Sequence, residues 1–469
     1  MDNTALIIAV IGYTGAVIGF GLWRSRKQED TSEDYFLANR SLGAWLAAFS
    51  GAASAESGWV LLGLVGSGYS GGLSALWLVP GCLAGYLFNW LLVGPRLRAQ
   101  SEKLGAVTVP EVLSAHAGAE AKWVRWIASL IILIFMTTYV GAQFNAVGKA
   151  LNAMFELEYV WGVLIGVGIV FAYTISGGFR ASVWTDFVQA LLMVGTLVIL
   201  PIAGYLFFDG SLLTSLEGSE ELFHMTGGST GWAAVGFIVG WLGIGLAYPG
   251  QPQVLVRFMA TKNDVELRRA GIIAAIWSTL VFIGAICTGL VARAWLPGLQ
   301  DPEQALPSFA MTFLPAPVAG IILAAVLAAI CSTADSQLLV ASSTLGNDLL
   351  RYGTRPGSRG RSQIILVLLG LLATMIAVSE NRVIFDFVLY AWAALGASIG
   401  PAVIGVLFLP RVSGKGLLAA MIGGVATVVI WKNVPALSGA VYELVPGFIV
   451  GLLSVRLVSF ASPRKTYPT

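Results

Sequence analysis

Apolar segments of about twenty residues follow one another from end to end of this 469-residue chain, most with one charge or none. A helix needs about 20 such residues to cross a bilayer. The chain therefore reads as a polytopic all-α membrane protein. Its charge supports this: 11% of residues are charged, where a soluble domain carries about 25%. About thirteen spans are expected, near 5–23, 42–67, 74–95, 124–151, 158–175, 183–207, 232–256, 269–296, 317–345, 363–379, 383–410, 416–434 and 437–458. No stretch between them is large enough for a separate soluble domain. The first span lacks a basic leader and a clear cleavage site, so it reads as a retained helix rather than a signal peptide. Cys82, Cys287 and Cys331 are odd in number and lie inside apolar segments, which argues against a disulfide framework. The net charge of +2 and the absence of a basic run give no sign of a nucleic-acid partner.

Orientation follows from the basic residues, which concentrate on the cytoplasmic side of membrane proteins. The loops after odd-numbered spans, with the C-terminal tail, hold 23 of the 27 Lys and Arg residues. Lys149, Arg293, Arg382 and Lys432 are the exceptions. Loop 208–231 has no basic residue and carries Asp209, Glu217, Glu220 and Glu221. The expected topology puts the N-terminus outside and the C-terminus in the cytoplasm of a multi-pass cell-membrane protein.

Two spans make poor continuous helices. The second contains the run Ser50 to Gly58, dense in small residues, and the seventh contains Gly243 to Pro252, with Pro249 inside it. Glycine weakens a helix and proline removes a backbone donor. Broken backbone at membrane depth survives where it lines a cavity or is buried in protein. The breaks are five spans apart. That fits two inverted five-helix repeats, 42–207 and 232–410, with a site where the first helix of each unwinds. One helix (5–23) precedes the repeats and two (416–458) follow. Small residues that merely permit close packing are the plainer reading of either break alone.

Four acids fall within spans: Glu56, Asp186, Asp335 and Asp386. Each costs about 2.5–3.5 kcal/mol at mid-bilayer, so each needs a partner or a wet cavity. Lys149 is the one basic candidate read as lying within a span. The acids then outnumber their counter-ions, and a bound cation or a shared proton is implied. Asp386 sits near a span end and reads as interfacial. Asp186 is close enough to Arg180 to pair locally. Glu56 and Asp335 lie deeper. In the ninth span Ala329, Ser332, Thr333 and Ser336 share one helix face, bordered by Asp335. Such oxygens suit a hard cation, sodium above all; hydroxyls bonding their own helix are the alternative. His116 and His224 fall in separate loops. No metal spacing, phosphate-binding loop or nucleophile elbow appears, so no enzyme is indicated.

Four segments carry a resemblance: Ser54-Ala55-Glu56-Ser57-Gly58-Trp59; Gly177-Gly178-Phe179 through Trp184-Thr185-Asp186; Gly250-Gln251-Pro252 with Arg257-Phe258-Met259; and Ser332-Thr333-Ala334-Asp335-Ser336-Gln337. With them the chain resembles the sodium/solute symporter family, most of all its sodium/proline symporters, over nearly its whole length. The resemblance implies the LeuT-type inverted-repeat fold and alternating access driven by co-transported sodium. It further implies a sodium site from the Ala53, Glu56 and Ala329 carbonyls and the Ser332 and Thr333 hydroxyls. A second sodium site, present in some members, matches Asp186, Ser332, Asp335 and Ser336. The substrate region matches Ser57, Gly58, Tyr139, Gln143, Tyr248 and Pro252. The chain departs from the proline symporters at Ala55, where they carry an aspartate, at Glu56, where they carry methionine, and at Ile244, where an aromatic of their proline pocket falls.

The leading expectation is sodium-coupled uptake of a small organic solute, proline or another amino acid. The solute and the lipid bilayer are its partners, with no obligate protein partner. Proton coupling through Glu56, or a sensor or channel on the same fold, are the alternatives. One expectation concerns Glu56 itself: on unwound backbone its carboxylate turns to the cation in place of the acid missing at Ala55.

Overall fold

The structure is a computed structural model, and it describes residues 3–25, 32–207, 215–216, 219–350, 358–379 and 383–462. Arg26, Lys27, Asp209, Glu217, Arg351, Arg355, Arg382, Arg464 and Lys465 of the charge pattern lie outside the described residues. Every expected span falls largely on helix, and no strand occurs among the described residues beyond a lone bridge between Leu42 and Thr261. Among the described residues ten helical runs are long and apolar enough to cross a membrane; the apolar helices Ile7–Val17, Ala44–Ala55 and Tyr159–Ala172 are shorter. Two of the gaps expected between spans are helical, the first being 68–73, which lies within the helical run Trp59–Leu104. The loop expected at 176–182 is helical, and Tyr159–Phe207 is broken only at Gly178, with φ 55° and ψ −164°. Glycine adopts that conformation at little cost, so the chain changes direction without a loop.

Both anticipated breaks are present, and they are alike. The helix Ala44–Ala55 ends where the Glu56 amide donates to the Ala52 carbonyl, with Glu56 at φ −95°, ψ 82°. The chain turns helical again at Trp59. In the second, the helix Gly231–Gly243 tightens into a 3-10 stretch, Ile244–Gly250. Gln251 is extended at φ −96°, ψ 98°, and Pro252 opens the helix Pro252–Ala260. A proline at the first helical position loses nothing, because that amide has no partner within the helix.

Close backbone contact holds the second break in place. A Cβ on Gly245 would collide with the Gly81 carbonyl oxygen, so glycine is what lets the 3-10 stretch rest on the helix Leu78–Phe88. The stretch also packs against the helix Ile384–Phe408. There Gln251 Nε2 donates to the Trp392 carbonyl, and the Trp392 indole donates to the Ile244 carbonyl. The helix Ala316–Ser343 is buried continuously from Ile322 to Ser343. It packs against Ala44–Ala55, Ala121–Phe155 and Tyr159–Phe207. Its polar face therefore looks into protein rather than lipid, as polar groups at membrane depth require.

Candidate functional site

The last turn of Ala44–Ala55 presents carbonyls that have lost their helical partners, because the helix stops at Glu56. The serine-rich helix Ala316–Ser343 supplies new ones. Ser332 Oγ and Thr333 Oγ1 each donate to the Ala53 carbonyl at 3.1 Å, and Ser332 Oγ also donates to the Ala329 carbonyl at 3.0 Å. Ala53, Ala329, Ser332 and Thr333 thus meet in one buried cluster of oxygens. A hydroxyl oxygen offers its lone pairs to a cation when its hydrogen turns away. The set is all oxygen and uncharged, a donor type that fits an alkali cation.

A second cluster lies one helical turn further along the same helix. Arg257 Nη2 donates to Asp186 Oδ2 at 3.2 Å and to Ser336 Oγ at 2.6 Å, and its Nε donates to Ser50 Oγ at 3.0 Å. Ser50 Oγ donates to Asp186 Oδ2 at 2.6 Å. Ser182 and Ser336 both donate to Asp335 Oδ1, at 3.2 and 3.1 Å. The Ser54 and Ser336 hydroxyls are 3.0 Å apart, linking this cluster to the first broken helix.

These contacts correct three expectations. Arg257, counted with the loop residues, is fully buried. The second broken helix continues to Ala260, and every residue of Pro252–Ala260 is buried. Arg257, rather than Lys149, is the cation that pairs with Asp186. Arg180, expected beside Asp186, pairs with Asp34 instead. Lys149 pairs with Asp301 and Glu303, in the segment ahead of Ala316–Ser343. Asp386 is exposed in the first turn of its helix, in keeping with an interfacial place. Two carboxylates against one guanidinium leave the second cluster one formal negative charge in excess. Asp186 Oδ1 and Asp335 Oδ2 are buried there without a hydrogen-bond partner among the described residues.

The remaining residues gather where the two breaks face each other. Tyr248 donates to Glu56 Oε1 at 2.9 Å, joining the breaks directly. The Ser57 and Tyr139 hydroxyls are 3.4 Å apart, and the Gly58 amide donates to Gln143 Oε1 at 3.2 Å. Pro252 lies buried at the restart of the second helix. The Glu56 carboxylate turns to Tyr248 of the second break and makes no hydrogen bond to the serine-rich helix among the described residues. Sequence reasoning missed Arg257 as a partner, and with it Ser50, Ser182 and Tyr86. Of these Arg257 alone carried a signal, being a charge set between the apolar runs 254–256 and 258–260.

A family model for the sodium:solute symporter family matches residues 35–424. The chain belongs to the sodium:solute symporter family. Within it, this symporter is similar to the high-affinity proline transporter PutP of Bacillus subtilis, 39% identical over 92% of this chain and 93% of the relative. It is also similar to the sodium/proline symporter of Salmonella typhimurium, 34% identical over 96% of this chain and 91% of the relative. In three dimensions it resembles a Na+-coupled sialic acid symporter in a substrate-bound outward-open state, with a TM-score of 0.82, 19% identity and 98% of both chains covered. The symporter fold is of the LeuT type, and the protein is a transporter rather than an enzyme.

Proposed function

We propose that this protein imports a small amino acid of the proline class together with sodium, by alternating access of the repeats 42–207 and 232–410 around the paired breaks. The observation that carries the reading is the convergence of Ser332 and Thr333 on the Ala53 carbonyl at the end of the first broken helix. The sodium ion is held there by the Ala53, Glu56 and Ala329 carbonyls and the two hydroxyls. The negative cluster of Asp186, Asp335 and Ser336, with Ser332 one turn away, takes a second sodium ion. Ser57, Gly58, Tyr139, Gln143, Tyr248 and Pro252 line the substrate region. Support for the substrate class comes from the proline-transporting relatives at 39% and 34% identity.

Ser332→Ala and Thr333→Ala each remove one oxygen without adding bulk. Each is expected to raise the sodium concentration for half-maximal uptake about tenfold, the equivalent of about 1.4 kcal/mol. Unchanged sodium dependence in both would remove this helix from the coupling site.

The charge distribution supports thirteen spans with the N-terminus outside and the C-terminus in the cytoplasm. Single cysteines replacing Glu220, Lys262 and Arg359 in a cysteine-free background should report this. The one at 220 should react with an impermeant maleimide on intact cells, and those at 262 and 359 only after permeabilisation. External reaction at 359 would contradict the span count.

A further inference from the structure

Glu56 carries a carboxylate that no basic residue neutralises among the described residues. It is fully buried at the point where the first broken helix unwinds. One oxygen accepts the Tyr248 hydroxyl, and the other has no hydrogen-bond partner among the described residues. The Tyr86 hydroxyl is buried beside it, with the Glu56 carboxyl and Ser278 as its polar neighbours. Arg257 and Lys149, the cationic side chains set among these helices, are committed elsewhere: Arg257 to Asp186 and Ser336, Lys149 to Asp301 and Glu303. A buried carboxylate with only neutral hydroxyls beside it is costly to keep charged. A cation that is not part of the chain relieves that cost.

The surroundings decide which cation. Tyr86 meets Tyr248 edge-on with ring centroids 4.4 Å apart, and Tyr248 meets Trp392 edge-on at 5.1 Å. An alkali metal ion needs several oxygens around it, as the Ala53 cluster supplies. Aromatic rings beside one carboxylate are instead the setting that holds an organic ammonium. Ile244, four residues before Tyr248 on the same 3-10 stretch, lines a cavity of about 260 Å³ together with Trp241, Phe385 and Tyr442.

We propose that Glu56 is the residue that reads the substrate's amine, its free oxygen accepting an N–H from a protonated amine held among Tyr86, Tyr248 and Trp392. The inference rests on the breaks being the substrate site. It narrows the substrate to solutes whose cationic nitrogen still bears hydrogen.

The test is ligand-induced thermal stabilisation of the purified full-length protein in sodium-containing detergent buffer. The probes are L-proline, N,N-dimethylproline, which keeps the positive charge but has no N–H, and tetrahydrofuran-2-carboxylate, which has a ring oxygen in place of the amine. Wild-type protein is expected to bind L-proline at least tenfold more tightly than either analogue. Glu56→Gln should cut L-proline affinity at least tenfold and erase the preference, with Glu56→Asp retaining part of it. Equal affinity of the wild-type protein for the three probes, or no binding of L-proline at all, overturns the proposal, and neither result needs a variant to fold. A Glu56→Gln protein that keeps the preference overturns it too. Failure of the sodium-coupled reading has a different signature, which is that sodium alone does not stabilise the wild-type protein.

Discussion

Arg257→Ala is expected to destabilise the folded transporter by about 3–5 kcal/mol, the usual cost of leaving one member of a buried ion pair alone. The guanidinium is fully buried and ties separate elements together. It reaches Ser50 on the first broken helix, Asp186 on the helix after Gly178, and Ser336 on the serine-rich helix, while Nη1 donates to the Gln253 carbonyl at 2.9 Å. It also lies over the Phe179 ring, 4.9 Å from its centroid. Without it, Asp186 and Asp335 remain buried with no cation of the chain between them. The protein should then melt well below wild type and reach the membrane in reduced amounts. What stability is left should depend more steeply on sodium, because an ion that binds only the folded state stabilises it according to its occupancy. Arg257→Lys should recover only part of the loss, since one ammonium lacks the planar fork that serves a carboxylate and two hydroxyls at once. Pairing Arg257→Met with Asp186→Asn removes both charges of the pair and should recover more. Wild-type melting of Arg257→Ala would show that the network does not hold these helices together.

That network marks the limit of what the sequence discloses. The helices are legible because each apolar run is long enough to cross a bilayer. The breaks are legible because glycine and proline act locally, around Gly58 and from Gly243 to Pro252. The sodium-site candidates are legible because Ala329, Ser332, Thr333 and Ser336 recur at helical spacing. Arg257 is different. Its helix, Pro252–Ala260, is too short to stand out as a span, and a charge at the end of an apolar run looks like a loop residue. Only the tertiary packing shows that protein covers it. Its partners Asp186 and Ser336 lie 71 and 79 positions away, where no local spacing rule applies. The direction of Glu56 is hidden for a related reason: on unwound backbone no helical period fixes where a side chain points. The kink at Gly178 shows the reverse error, since a Gly-Gly pair read as a loop leaves the helix continuous on both sides.

The central claim is that solute entry is driven by sodium, and the measurement that addresses it directly is uptake of radiolabelled L-proline into proteoliposomes under imposed gradients. An inward sodium gradient at equal pH should drive accumulation above the external concentration. An inward proton gradient without sodium should produce only equilibration. The neutral oxygens around Ala53 can hold an ion but have no site for a transferable proton, so the difference should be close to all-or-none. Dissipating the sodium gradient with an ionophore should release the accumulated solute. Sodium-driven accumulation that collapses in the Ser332→Ala, Thr333→Ala double variant is the predicted result; accumulation driven by protons and indifferent to sodium would contradict it.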